Sequence, residues 1–166
     1  MKYLQFVITL MFFLVLNNVA FSQNAMINIL TQNAGIVKIG EKLILEVSIT
    51  NTNYKDFIGI YKLKIQVSVP EKIVSIDSVG NILPTGWRIL SNNGSSITLS
   101  NGMDMIAATD NRNILISLKA KEIGGLSTIS GQLSFSNGVA PGTEPGSLKN
   151  DLPGDNNSTT TCKVIE

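Results

Sequence analysis

From residue 23 onward, apolar and polar side chains alternate one by one, and Gly, Asn, Ser and Pro interrupt them at short intervals. A period of two predicts half-buried strands separated by turns, whereas helices need apolar positions every three or four residues. The clearest strand covers residues 42–50. There Leu43, Leu45, Val47 and Ile49 share a core face, and Lys42, Glu46, Ser48 and Thr50 share the other with Ile44. Residues 61–69 repeat the device, with Leu63, Ile65, Val67 and Val69 inward before Pro70 ends the ladder. Residues 113–121 turn Ile114, Ile116, Leu118 and Ala120 inward, and residues 127–135 do the same with Ile129, Gly131, Leu133 and Phe135. Shorter strands are predicted over 26–31, 35–38, 73–79, 87–91, 96–100 and 159–165.

The turn chemistry divides the chain at matching points. Asn92-Asn93-Gly94-Ser95 is a hairpin signal, because Asn and Gly tolerate the positive φ that tight turns need. Asn101-Gly102 and Gly124-Gly125 read the same way. Short strands without intervening helices predict an all-β fold: an antiparallel immunoglobulin-like β-sandwich with Greek-key connections and seven to ten strands. A closed barrel is the structural alternative. Residues 137–158, rich in Gly, Pro, Asn and Asp, read as a long loop before a last strand.

Residues 1–22 break the pattern. Lys2 precedes an apolar run over residues 6–16, too short to span a bilayer, and Ala20 and Ser22 place small residues three and one positions before Gln23. This predicts a secretory signal peptide cut between Ser22 and Gln23. A single domain over 23–166 follows, exported to the periplasm or the extracellular surface, with no stable membrane span after cleavage.

Several segments, taken in order, resemble the bacterial surface-protein conserved-repeat (DUF11) domain. They are Ile39-Gly40-Glu41-Lys42-Leu43 running on to Val47 and the terminal Asn51-Thr52-Asn53, then Leu83-Pro84-Thr85-Gly86-Trp87, and finally the stretch from Asp155 to Thr161. The resemblance implies an immunoglobulin-like sandwich with an exported, surface-associated role in adhesion or structure. The family usually carries tandem copies, and this chain shows one. Leu152-Pro153-Gly154-Asp155-Asn156 lacks the threonine and tail of a wall-sorting signal. Gly59-Ile60-Tyr61 and the stretch from Leu115 to Ala120 are more loosely similar to cohesin modules, which implies protein docking.

Without Lys2 the basic side chains equal the twelve acidic ones, so no excess charge marks a nucleic-acid binder. The chain has no histidine, which removes the usual general base and the commonest metal ligand. Its one cysteine, Cys162, cannot form an intrachain disulfide and falls in register with a buried strand face. The acidic residues border turns, and no pair stands out as a glycosidase dyad. Asp104 with Asp110, or Asp151 with Asp155, Asn156 and Asn157, offer oxygen ligands of the calcium type, but turn formation accounts better for these residues. No catalytic residue, metal site or cofactor is expected.

The candidate contact residues are aromatic. Tyr54 and Phe57 lie in a polar stretch that should face solvent, and Trp87 follows a turn where a sandwich usually buries its tryptophan. A sugar-binding strip would instead expose Trp87 beside Tyr54 or Tyr61. The sequence therefore points to a non-enzymatic exported module contacting a protein or a surface glycan. Its alternative is a secreted carbohydrate-binding or cohesin-like docking module.

Overall fold

A computed structural model describes residues 24–135 and 154–166. The signal segment, the cut between Ser22 and Gln23, and most of the 137–158 loop lie outside the described residues.

The chain forms a sandwich of ten strands. They are β1 (Ala25–Thr31), β2 (Ile36–Lys38), β3 (Lys42–Asn51), β4 (Leu63–Ser68), β5 (Val74–Ile76), β6 (Arg88–Asn92), β7 (Ser96–Ser100), β8 (Asn111–Ala120), β9 (Gly124–Phe135) and β10 (Asn157–Ile165). A four-stranded sheet runs β1-β3-β8-β5, and a six-stranded sheet runs β2-β10-β9-β4-β7-β6. All pairs are antiparallel except β2 with β10. That parallel pair arises because the chain leaves β1 in one sheet, turns through Gln32–Gly35 and enters β2 in the other.

Every inward position of the four long predicted strands is buried, among them Leu45, Val47, Ile65, Val67, Ile114 and Ile116 at no measurable exposure. Cross-strand registers explain why. Leu45 lies opposite Ile116 and Val47 opposite Ile114, so branched side chains from neighbouring strands stack on one face and meet the other sheet's inner face.

The open sides of the sandwich are stitched by hydrogen bonds. Ile27 N–H donates to the Asp155 carbonyl (3.0 Å) and Ile29 N–H to Ser158 Oγ (3.0 Å), joining β1 to the β10 region. Ile76 N–H donates to the Gly94 carbonyl (2.7 Å), joining β5 to the β6–β7 hairpin. These bonds satisfy strand-edge groups that would otherwise invite pairing with another chain.

One turn assignment is corrected. Gly124 and Gly125 do not form a turn; they open β9. Ile73 packs so closely over Gly124 that a Cβ there would collide with Ile73 Cγ2, so this glycine answers to close approach and not to positive φ. Among the described residues no helix is long and apolar enough to cross a membrane.

Candidate functional site

Two loops meet at one end of the sandwich: residues 52–62, between β3 and β4, and residues 101–110, between β7 and β8. Strand ends deliver both, and the wholly buried Asn51 and Asn101 sit at their roots. Asn51 Nδ2 donates to the carbonyls of Asp56 (2.9 Å), Ile106 (3.1 Å) and Ala107 (3.1 Å), while its Oδ1 accepts from Asn53 N–H (3.1 Å). Asn101 Oδ1 accepts from Leu63 N–H (3.0 Å), and its Nδ2 donates to the carbonyls of Gly59 (2.8 Å) and Asp104 (2.7 Å). Each primary amide thus supplies donor and acceptor capacity to loop backbone that has no ladder of its own.

The loops also pair directly. Ile58 and Ile106, both fully buried, exchange backbone hydrogen bonds of 2.8 and 3.1 Å. Tyr61 N–H donates to the Gly102 carbonyl (2.7 Å), and Thr109 N–H to that of Asn53 (3.2 Å). Tyr61 and Thr109 are held at φ 55° and 65°. Such conformations cost non-glycine residues on the order of 1–3 kcal/mol and persist only where surroundings over-determine them.

Trp87 is 7% exposed and belongs to the core cluster, so its ring is not on a solvent-facing strip. Its Nε1–H donates to Asp104 Oδ2 (2.7 Å). The same carboxylate receives Arg112 through Nε (2.8 Å) and Nη2 (3.2 Å), a two-pronged pair, and Arg112 Nη1 reaches Asp110 (3.4 Å). These contacts raise the Arg112 pKa further, Asp104 contributing most. Asp104 and Asp110 therefore converge on a guanidinium rather than on a cation site, and among the described residues no cluster of three or more His, Cys, Asp or Glu side chains has metal-binding geometry. Asp151 lies outside the described residues. Cys162 is buried, and burial pushes its thiol pKa up, away from the nucleophilic thiolate.

Beside the exposed Lys55, Thr109 and Asp110, the rim presents large apolar side chains outward. Tyr54 is 87% exposed, Phe57 57%, Met103 64% and Met105 55%. Tyr61 Oη donates to Met103 Sδ (3.0 Å), tying the two loops at the surface. Sequence reasoning singled out Tyr54 and Phe57 but missed Met103 and Met105. Their only signal was an apolar residue immediately either side of Asp104, which no strand periodicity marks.

No protein-family model matches the chain, and comparison with curated proteins finds no match. Solved structures do share its fold. A cohesin module from a family 33 glycoside hydrolase of Clostridium perfringens superposes with a TM-score of 0.57 at 13% identity, covering 86% of this chain and 98% of that one. A variant of BcpA, the major pilin subunit of Bacillus cereus, gives 0.55 at 14% identity, over 85% of this chain and 40% of the pilin. The Actinomyces fimbrial adhesin FimA gives 0.52 at 14%, over 83% and 56%. At such identities the likeness establishes a shared sandwich. The structural neighbours are surface β-sandwich modules.

Proposed function

We propose that this protein is an exported, non-enzymatic β-sandwich module for cell-surface adhesion, structure or protein–protein interaction, and that it contacts its partner through the loop rim. The observation that carries this reading is a rigid rim with apolar tips. Tyr54, Phe57, Met103 and Met105 stand exposed on loops whose backbones are cross-bonded and anchored by buried asparagines. Aromatic and methionine side chains are enriched at interface centres, and a pre-ordered loop loses less entropy on binding.

The absence of histidine, the buried thiol and the Asp104–Arg112 pair support a non-enzymatic role. Motif order supports kinship with the conserved-repeat domain, and the fold shared with a cohesin module supports docking to protein. A carbohydrate-binding role keeps Tyr54 and Phe57 but has no support from Trp87. Export rests on residues 1–22.

The test uses the secreted protein, labelled and added to cells of the producing strain. Wild type should bind, protease treatment of the cells should abolish binding, and Phe57→Ser with Met103→Ser should lose it at an unchanged Tm. Undiminished binding by that double variant would overturn the rim. Amino-terminal sequencing of the secreted chain should begin at Gln23.

A further inference from the structure

The six strands of the larger sheet contain no Asp or Glu, yet they carry Lys38, Lys64, Arg88 and Lys163. Apart from Ser158 and Thr160 of β10, which turn toward β1, the core-facing positions of β4, β7 and residues 129–135 of β9 are apolar or glycine, and their polar side chains stand on the outer face. Registers order them into rows. Arg88 lies opposite Ser100, Ser100 opposite Lys64, and Lys64 opposite Ser134. The next row is Thr98, Gln66, Gln132 and Asn157. Arg88 and Lys64 are thus two strand spacings apart, roughly 9.5 Å, with the buried Ser100 between them, its Oγ accepting from Gly102 N–H.

Arg88 is held in place yet, among the described residues, has no anion beside it. Its guanidinium carbon lies 4.8 Å from the centroid of the Tyr61 ring, within cation–π range. Its Nε–H is buried without an acceptor. Among the described residues the ion pairs are Lys42–Asp77, Arg112–Asp104 and Arg112–Asp110, so Arg88 and Lys64 have no carboxylate partner. The Asp104 carboxylate is already engaged by Arg112 and Trp87.

We propose that this outer face binds a carboxylated polysaccharide, with Arg88 and Lys64 holding carboxylates and the serine, threonine and amide rows meeting the sugar hydroxyls. Charge complementarity selects an anionic ligand. The absence of apolar anchors on these two rows selects a glycan over a protein, since protein interfaces concentrate energy in buried aromatic and apolar residues and are depleted in Ser and Lys. Rows of donors and acceptors repeated at the strand spacing also suit a polymer lying across strands. The site adjoins the loop rim through Tyr61 but uses contact residues other than Tyr54, Phe57, Met103 and Met105.

The experiment is affinity gel electrophoresis of the secreted protein in polygalacturonate, in its methyl ester and in poly-L-glutamate. Polygalacturonate should retard the protein, the neutral ester should not, and poly-L-glutamate should do so at least tenfold more weakly. Arg88→Ala and Lys64→Gln should each weaken polygalacturonate binding about tenfold, the loss expected for a charge-assisted contact. Lys119→Ala, on the other sheet, should leave it unchanged. Lys64→Gln serves if Arg88→Ala misfolds by its melting profile. Phe57→Ser should bind polygalacturonate normally, which separates this site from the rim. Three results would overturn the proposal: no retardation, equal retardation by poly-L-glutamate, or wild-type binding by folded Lys64→Gln.

Discussion

The two ends of the sandwich use asparagine for different purposes. In the β6–β7 hairpin, Asn93 Oδ1 accepts from Ser95 N–H (3.1 Å) and Ser96 N–H (2.7 Å), and Asn92 Oδ1 accepts from Gly94 N–H (3.0 Å). These Oδ1 bonds, which shape the turn, reach no more than three residues along the chain; only Asn92 Nδ2 crosses to another element, at the Asp77 carbonyl. At the rim, Asn51 reaches Ile106 and Ala107, and Asn101 reaches Gly59 and Leu63. The hairpin folds its own backbone, while each rim loop is shaped by a residue from elsewhere. A turn built locally is robust, because its partners are always near. A rim held from a distance can take the shape a partner requires, but it exists only once the core has brought its roots together.

The largest perturbation removes the platform under both ends. Leu45→Asp, which puts an unpaired charge between the sheets, should cost about 4 kcal/mol in urea unfolding, against less than about 0.5 kcal/mol for Glu46→Ala on the outer face. Equal midpoints for the two variants would reverse the assigned faces. Next comes Asn101→Ala, which strips partners from Leu63 N–H and the Gly59 and Asp104 carbonyls. It should cost about 3 kcal/mol and speed hydrogen exchange at the Leu63 amide. Asn93→Ala, whose partners can turn to water, should cost only about 1 kcal/mol. If the two asparagines prove equivalent, the contrast between local and distant anchoring fails.

The smallest effect belongs to the hairpin end and depends on pH. Asp77, whose carbonyl accepts from Asn92 Nδ2 (3.3 Å), pairs through its carboxylate with Lys42 (2.9 Å). The Lys42 hydrogen bond and the Val79 and Ser78 N–H groups lower its pKa from 3.8. A lowered carboxyl pKa means the folded state holds its proton less tightly than the unfolded chain. Its stabilisation is therefore fully present above the unfolded value and disappears as pH falls through the folded one. Asp77→Asn should melt slightly below wild type at neutral pH. The gap should close in acid below the ordinary carboxylate range, and a gap constant with pH would show that the ion pair contributes nothing.

The hairpin was legible in the sequence because every group that makes it lies within one short segment. The rim was legible only as solvent-facing Tyr54 and Phe57. Asn51 read as the first residue of a strand-terminal Asn-Thr-Asn motif and Asn101 as half of an Asn-Gly turn, since nothing beside them in the chain reveals partners forty or fifty residues away. Gly124 read as turn punctuation for the same reason: its requirement is Ile73, on another element.

By itself the sequence determined the all-β class, the strands and the side of each long strand that faces the core. A period of two is a local property, and burying one face leaves a strand a single register. Only the tertiary structure decided that Trp87 is buried, that Asp104 holds Arg112 and Trp87 rather than a cation, and that β2 runs parallel to β10. It also decided that the six acid-free strands form a single sheet and share one outer face. Those outcomes depend on which strands become neighbours when the two sheets close over a common core, and no spacing along the chain encodes that choice.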